Sequence, residues 1–188
     1  MSFFENRNFS GENFAEQDIA SFEYEDCTFT NCSFAGADLS ETKFSDCEFE
    51  NCDLSLAKIQ NTAFRDVAFA NCKLLGLHFN ECNGFSLAFT FKNCVLNFAS
   101  FYKLKLKNVS FTDCKLEEAD FIETDLTKAV FKNCDLKRAV FDGTILDGAD
   151  LRTAVNFSIN PENNRIKKAK FSIHNIAGLL DKYNIVIE

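Results

Sequence analysis

The sequence predicts an all-β chain, a right-handed quadrilateral parallel β-helix with a short C-terminal helix and tail, and three observations carry that expectation. Large apolar residues recur at every fifth position. A small or apolar residue stands two places before most of them, and identities between repeats return every twenty residues. A period of five suits neither an amphipathic helix nor a simple alternating strand. Repetition on this scale marks a solenoid whose neighbouring units stack to bury one continuous core.

The first series of large residues runs from Phe9 through Phe14, Ile19 and Tyr24 to Phe79, and the second from Phe91 through Leu96, Phe101 and Leu106 to Leu151. In extended chain, residues two apart point the same way, so the preceding small residues, among them Cys27, Cys32, Ala37 and Thr42, also face inward. Cys32, Cys52 and Cys72 are 20 apart, as are Cys94, Cys114 and Cys134, and Phe91, Phe111 and Phe131. Four repeats therefore complete one coil. The 28 repeats give about seven coils and a rod roughly 34 Å long at ~4.8 Å per coil.

Three segments follow. Residues 1–8 form an N-terminal cap, with Phe3 and Phe4 available to cover the first coil. Residues 9–154 form the β-helix, interrupted at 80–90, where Phe79 and Phe91 are 12 apart instead of ten. The extra residues are expected in a bulge or short protruding loop at Asn83-Gly84, since glycine tolerates the backbone angles a bulge demands. Phe85 and Leu87 then either offer an apolar contact to a partner, making Asn83, Gly84, Phe85 and Leu87 a contact loop, or pack inward while the loop only changes phase.

Residues 155–188 form a capping and dimerisation segment. Asn160-Pro161-Glu162-Asn163-Asn164 reads as a turn, Arg165 to Phe171 as a strand, and the chain from Ser172 or Asn175 to Tyr183 as a short helix. Ile176, Leu179, Leu180 and Tyr183 give that helix one apolar stripe. A single stripe suffices to cover the last coil, so the additional Ile185 and Ile187 suggest a second surface, expected to be a twofold dimer contact.

Composition narrows the function. The 188 residues carry a formal charge of −8, which argues against binding nucleic acid directly by phosphate neutralisation. The charge is polarised: residues 1–90 hold 15 acidic and 5 basic side chains, whereas residues 91–188 hold 13 and 15. Glu23, Glu25, Asp26, Asp46, Glu48, Glu50 and Asp53 are the candidate acidic surface. No stretch approaches the ~18 apolar residues of a membrane span, and the N-terminus does not read as a signal peptide. A cytoplasmic protein without membrane association is expected.

The nine cysteines alternate with Ala and Thr at one interior position, so they read as reduced, compact hydrophobes and not as metal ligands or disulfides. The only histidines, His78 and His174, sit in no nucleophile or acid–base pattern. No catalytic residue, metal or cofactor is expected. Asp38, Asp53, Asp120, Asp125, Asp135 and Asp150 directly precede large inward residues, and so point outward or cap backbone turns.

Ala37-Asp38-Leu39-Ser40, Ala119-Asp120-Phe121 and Ala149-Asp150-Leu151-Arg152, with many Asn-Cys-x-Phe/Leu units, resemble the signature of pentapeptide-repeat proteins across residues 7–154. The mid-rod interruption, the exit at 150–154, the stretch Ile159–Ile166 and the ending Ala177–Ile187 resemble the topoisomerase-protecting branch of that family, of the quinolone-resistance Qnr type and the microcin immunity type. That resemblance implies a homodimer joined through the C-terminal segment. It also implies a non-enzymatic protein that binds DNA gyrase or topoisomerase IV, protecting it from a quinolone or peptide toxin by partial DNA mimicry. The alternative is a scaffold for an unrelated protein partner.

Overall fold

The computed structural model describes residues 2–17 and 19–186 and forms a parallel β-solenoid. One face is a four-stranded sheet of β1 (Phe3–Glu5), β3 (Glu23–Glu25), β5 (Lys43–Ser45) and β7 (Ala63–Arg65). The next face is a seven-stranded sheet. It begins with β2 (Asn8–Ser10), β4 (Thr28–Thr30), β6 (Glu48–Glu50) and β8 (Val67–Ala70), and continues with β9 (Phe89–Lys92), β10 (Ser110–Thr112) and β11 (Val130–Lys132). The other two faces are ladders of single parallel bridges, such as Ser33–Asp53–Lys73–Val95–Lys115–Asp135–Val155.

Six full turns separate the seven strands from β2 to β11, so the coil count differs slightly from the seven expected. The bridges Ile145–Arg165 and Asp150–Lys170 carry the ladder past residue 154, where the repeats fade in the sequence. Arg165 to Phe171 is therefore more rod and not a separate strand. Backbone pairing needs only extended chain in register, so the coil outlasts its signature residues.

The interior is built by like stacking on like. Phe29 stacks on Phe49 with ring centroids 4.7 Å apart, Phe91 on Phe111 at 5.1 Å and Phe101 on Phe121 at 5.1 Å. Rings of adjacent faces meet edge to face, as Phe29 and Phe34 do at 5.5 Å and 74°. Both geometries satisfy the aromatic quadrupole, which accounts for the 23 Phe residues.

At most corners, the residue two places after the large one takes the left-handed conformation: Asn31 (φ 55°), Asp46 (φ 53°), Asn51 (φ 54°) and Lys128 (φ 59°), for example. Asn and Asp tolerate that region better than other non-glycine residues. The corner N–H donates to the next coil, as Asn31 does to Glu50 O at 2.9 Å. All six aspartates singled out above accept the N–H two residues on, Asp38 from Ser40 at 3.0 Å and Asp120 from Ile122 at 2.8 Å among them.

The C-terminal helix expected up to Tyr183 is instead two 3-10 turns, Ile176–Leu179 and Asp181–Tyr183. Asn175 does not cap it. Its side-chain amide donates to Leu151 O (2.8 Å) and Ala154 O (2.9 Å), plugging carbonyls at the end of the rod. Gly178 is pressed so closely on Phe157 that a Cβ would lie 2.2 Å from the Phe157 carbonyl oxygen. Its own carbonyl accepts from Ile159 N at 2.9 Å, drawing it out of any helical ladder. No helix among the described residues is long and apolar enough to cross a membrane.

Candidate interaction surfaces

The thiols and histidines show what the rod can do chemically. All nine cysteines are buried and unpaired. Six of them, Cys32, Cys52, Cys72, Cys94, Cys114 and Cys134, form one column, a residue per coil. Each slot offers a main-chain acceptor: Cys52 Sγ lies 3.3 Å from Phe29 O and Cys72 Sγ 3.3 Å from Phe49 O. Thr62 and Thr124 donate to the equivalent carbonyls, Leu39 O and Phe101 O, at 2.7 and 2.8 Å. The Cys/Thr interchange thus reflects a weak donor reaching a carbonyl as well as a small volume. Burial pushes the Cys47 thiol up to about 12 and raises Cys82 as well, which disfavours the thiolate form. Among the described residues no three of His, Cys, Asp and Glu converge as metal ligands. His78 and His174 are exposed and belong to different parts of the rod.

The interruption is resolved in one coil. Val67 pairs with Phe89 and Phe69 with Phe91, a spacing of 22 residues, so the two extra residues lie between Asn83 and Ala88. Asn83 N donates to Thr62 O at 2.9 Å and Ala88 N to Phe64 O at 3.2 Å, pinning both ends. Within it, Phe85 N donates to Asn83 Oδ1 at 3.0 Å. The residue in the left-handed region is Ser86 (φ 57°), while Gly84 lies outside it. Phe85 is 73% exposed, with the Arg65 guanidinium 5.9 Å from its ring centroid, while Leu87 packs on the core. The two apolar loop residues therefore divide between the two readings.

This coil carries a compensation. Ser86 stands where the column Tyr24, Phe44, Phe64 would continue, and it is exposed. Phe89 occupies a slot that is Val67 in the coil before and Val109 in the coil after, and its ring lies 5.5 Å from Phe64 and 5.1 Å from Phe79. With the partly buried Leu87, Phe89 fills the volume that the missing inward residue leaves. The four-stranded sheet stops at β7 for the same reason, and that face resumes as single bridges from Lys105.

The seven candidate acidic residues separate by face. Asp26 and Asp46 stand on the corner between the two sheets, and Asp66 extends their column. Glu25 flanks the column from β3, and Glu48 and Glu50 flank it from β6. These six carboxylates are exposed and make no ion pair among the described residues. Glu23 instead holds Lys43 at 2.5 Å, and Asp53, around the next corner, lies 3.8 Å from Lys73. The structure therefore gathers Glu25, Asp26, Asp46, Glu48 and Glu50 into one acidic edge with Asp66, and leaves Glu23 and Asp53 outside it.

At the far end, the residues expected to mediate dimerisation also divide. Leu179 packs on the core and Leu180 is half-buried, whereas Ile176, Tyr183 and Ile185 are exposed. Ile173 (84%) and Val186 (86%) add to this apolar surface; Ile187 lies outside the described residues.

A family model described as a pentapeptide repeat region matches residues 20–90 and 88–171. The chain belongs to the pentapeptide-repeat family. No curated protein matches it. Among solved structures, a trypsin-treated variant of QnrB1, described as a plasmid-mediated fluoroquinolone resistance protein, superposes with a TM-score of 0.65 at 18% identity over 100% of both chains. Full-length QnrB1 gives a TM-score of 0.42 at 15% identity, covering 98% of this chain and all of its own. HetL, from the cyanobacterium Nostoc and involved in heterocyst differentiation regulation, gives 0.39 at 14% identity, with 91% of this chain and 85% of its own covered. At these identities the likeness is one of fold.

Within the pentapeptide frame, two features escape a reading of inward positions. The corner residue is the first. Its signal was present, since Asn31, Asn51, Asn71, Asn93 and Asn133 stand two places after large residues. The second is that two bulky residues occupy corners: Leu56 (φ 57°) and Phe98 (φ 61°) are both exposed and flank Gly76 on one edge, with the Leu56 Cδ2 atom lying over that glycine.

Proposed function

We propose that the chain is a non-enzymatic, homodimeric protein-binding rod that engages a type II DNA topoisomerase in the cytoplasm, with gyrase the first candidate, and relieves its inhibition by a quinolone or peptide toxin. The observation that carries the reading is the acidic edge. Six unpaired carboxylates, Glu25, Asp26, Asp46, Glu48, Glu50 and Asp66, lie across three coils. Three coils span roughly 14 Å, so there is one negative charge per ~2.4 Å of rod. Duplex DNA presents one per ~1.7 Å. A straight, rigid edge of that density suits a basic groove shaped for DNA.

The fold shared with a fluoroquinolone resistance protein supports the choice of partner. The exposed Ile173, Ile176, Tyr183, Ile185 and Val186 support a dimer through the C-terminal segment, because a second copy would cover an apolar surface that solvent otherwise meets. The buried thiols and the separated histidines support a binding role over catalysis. The exposed corner of Leu56 and Phe98 supports the second reading, a scaffold for an unrelated protein, since an apolar ridge has no counterpart on a DNA surface.

Gyrase supercoiling, measured with and without a quinolone and against competing DNA, tests the proposal. The wild-type protein is expected to alter inhibition in a salt-sensitive way. Asp46→Lys with Asp66→Lys is expected to weaken the effect tenfold or more without altering the dimer mass seen by light scattering. Unchanged protection by the charge-reversed protein overturns the acidic-edge reading, and a wild-type protein without effect on gyrase favours the scaffold.

A further inference from the structure

The opposite sign of charge gathers on the far side of the coil break. Below the 83–88 loop a cleft of about 240 Å³ is lined by Gly84, Leu87, Leu104, Lys103 and Lys105. Its floor is apolar and its rim cationic. Lys107, one outward position further along the same face, adds a third ammonium, and Arg65 stands over Phe85 on the other side of the loop. Two carboxylates face this group, Glu123 at 3.5 Å from Lys103 and Asp125 at 3.5 Å from Lys107. Both contacts are long; the Lys103–Glu123 pair is exposed on both sides, the kind worth ~0–1 kcal/mol, whereas Asp125 is largely covered. Lys105 and Arg65 make no ion pair among the described residues, and Arg65 Nε is shut from solvent without a hydrogen-bond partner.

Phe85 is displayed and not merely left out. The loop is pinned at Asn83 and Ala88, and Asn83 Oδ1 holds the Phe85 N–H at 3.0 Å. An exposed aromatic on a fixed loop, beside an apolar floor ringed by lysines, has the composition of a binding hot spot: an apolar anchor with little ordering entropy left to lose, and a charged rim that selects the partner.

We propose that this cleft docks an acidic segment of a protein partner, with Phe85, Leu87 and Leu104 receiving one apolar side chain of that segment while Lys103, Lys105 and Arg65 meet its carboxylates. A nucleic acid fits less well. The cationic patch is short and two of its lysines already face carboxylates, whereas phosphate binding gains from a long basic stripe; the Asp26–Asp46–Asp66 edge lies just across the break. The site is opposite in sign to the acidic edge and separate from it, and it stands whether or not the partner of that edge is a topoisomerase.

Fluorescence anisotropy on the full chain tests the proposal with peptides of equal length that are acidic, neutral or basic, each with and without a central phenylalanine, and with a labelled single-stranded oligonucleotide. The acidic, phenylalanine-containing peptide is expected to bind best, and more weakly as salt rises. Phe85→Ser, and separately Lys103→Gln with Lys105→Gln, should each weaken it tenfold or more, while Lys92→Gln with Lys132→Gln, an equal loss of charge on the neighbouring sheet, leaves it unchanged. An unshifted denaturation midpoint confirms that the variants fold. Absence of peptide binding, equal loss in the Lys92/Lys132 control, or tighter binding of the oligonucleotide overturns it.

Discussion

One corner of the rod runs Asp26, Asp46, Asp66 before the coil break and Asn108, Lys128, Gly148, Lys168 after it, all in the left-handed backbone region. The sheet beside it changes in the same way, from Glu48 and Glu50 to Lys92 and Lys132. The interior does not change. Phe49 stacks between Phe29 and Phe69 at 4.7 and 5.0 Å, and Phe111 between Phe91 and Phe131 at 5.1 Å on both sides. The comparison teaches that the repeat constrains backbone and core while leaving surface charge free. An acidic recognition edge and a basic cleft can then share one scaffold, divided by a two-residue slip.

The largest expected effect tests whether the interiors really are equivalent. Phe49→Ala and Phe111→Ala should each destabilise the rod by about 3–5 kcal/mol, because each removes a ring stacked on both sides and leaves a cavity that fixed neighbours cannot close. Denaturant titration of the two variants should give closely similar losses. A difference of several kcal/mol would break the claim that the halves share one core.

Phe89→Val sharpens the comparison from the other direction. Valine is what the neighbouring coils carry at that slot, in Val67 and Val109, so in a regular coil the change would restore the pattern. In this coil Ser86 contributes nothing inward, and the same substitution should cost about 2 kcal/mol by opening a void next to Phe64 and Phe79. A neutral or stabilising result in the same titration would mean that Phe89 is not compensating for the slip.

The contrast between these two experiments shows where sequence was legible. Inward columns, coil length and the location of the break follow from spacing alone, since a buried stack tolerates few residue types at fixed intervals. The break's internal arrangement does not follow from spacing. Gly84 is the obvious candidate for an unusual backbone angle, yet Ser86 adopts it, because the pins at Asn83 and Ala88 set where the chain must turn. The acidic surface was legible as composition only. Grouping Asp26 with Asp46 while excluding Glu23 and Asp53 depends on which corner each occupies and on Lys43 and Lys73 lying opposite. The C-terminal segment misled for a related reason: its helical spacing is real, but Gly178 and Asn175 are engaged by the rod end.

The smallest effect separates the two halves by the origin of a shared motif. Asp38 and Asp150 both accept the N–H two residues on, and both carboxyls are held below the usual aspartate range. For Asp38 the main cause is hydrogen bonding from Ser40; for Asp150 it is the Arg152 side chain, which grips both carboxylate oxygens at 2.6–3.1 Å. A folded pKa below the unfolded value near 3.9 means that each contributes stability above that pH and loses it as the pH falls through the folded value. Asparagine keeps the turn acceptor, as Asn13 shows by accepting from Ala15 N at 3.1 Å, so Asp38→Asn and Asp150→Asn isolate the charge. Each should lower stability at neutral pH by a few tenths of a kcal/mol, within the ±0.5 kcal/mol of surface changes, and the loss should vanish in acid. Added salt should shrink the Asp150 effect, an exposed ion pair, and spare that of Asp38, which rests on short-range hydrogen bonds. Equal salt sensitivity at the two positions would show that the motif works by one mechanism in both halves.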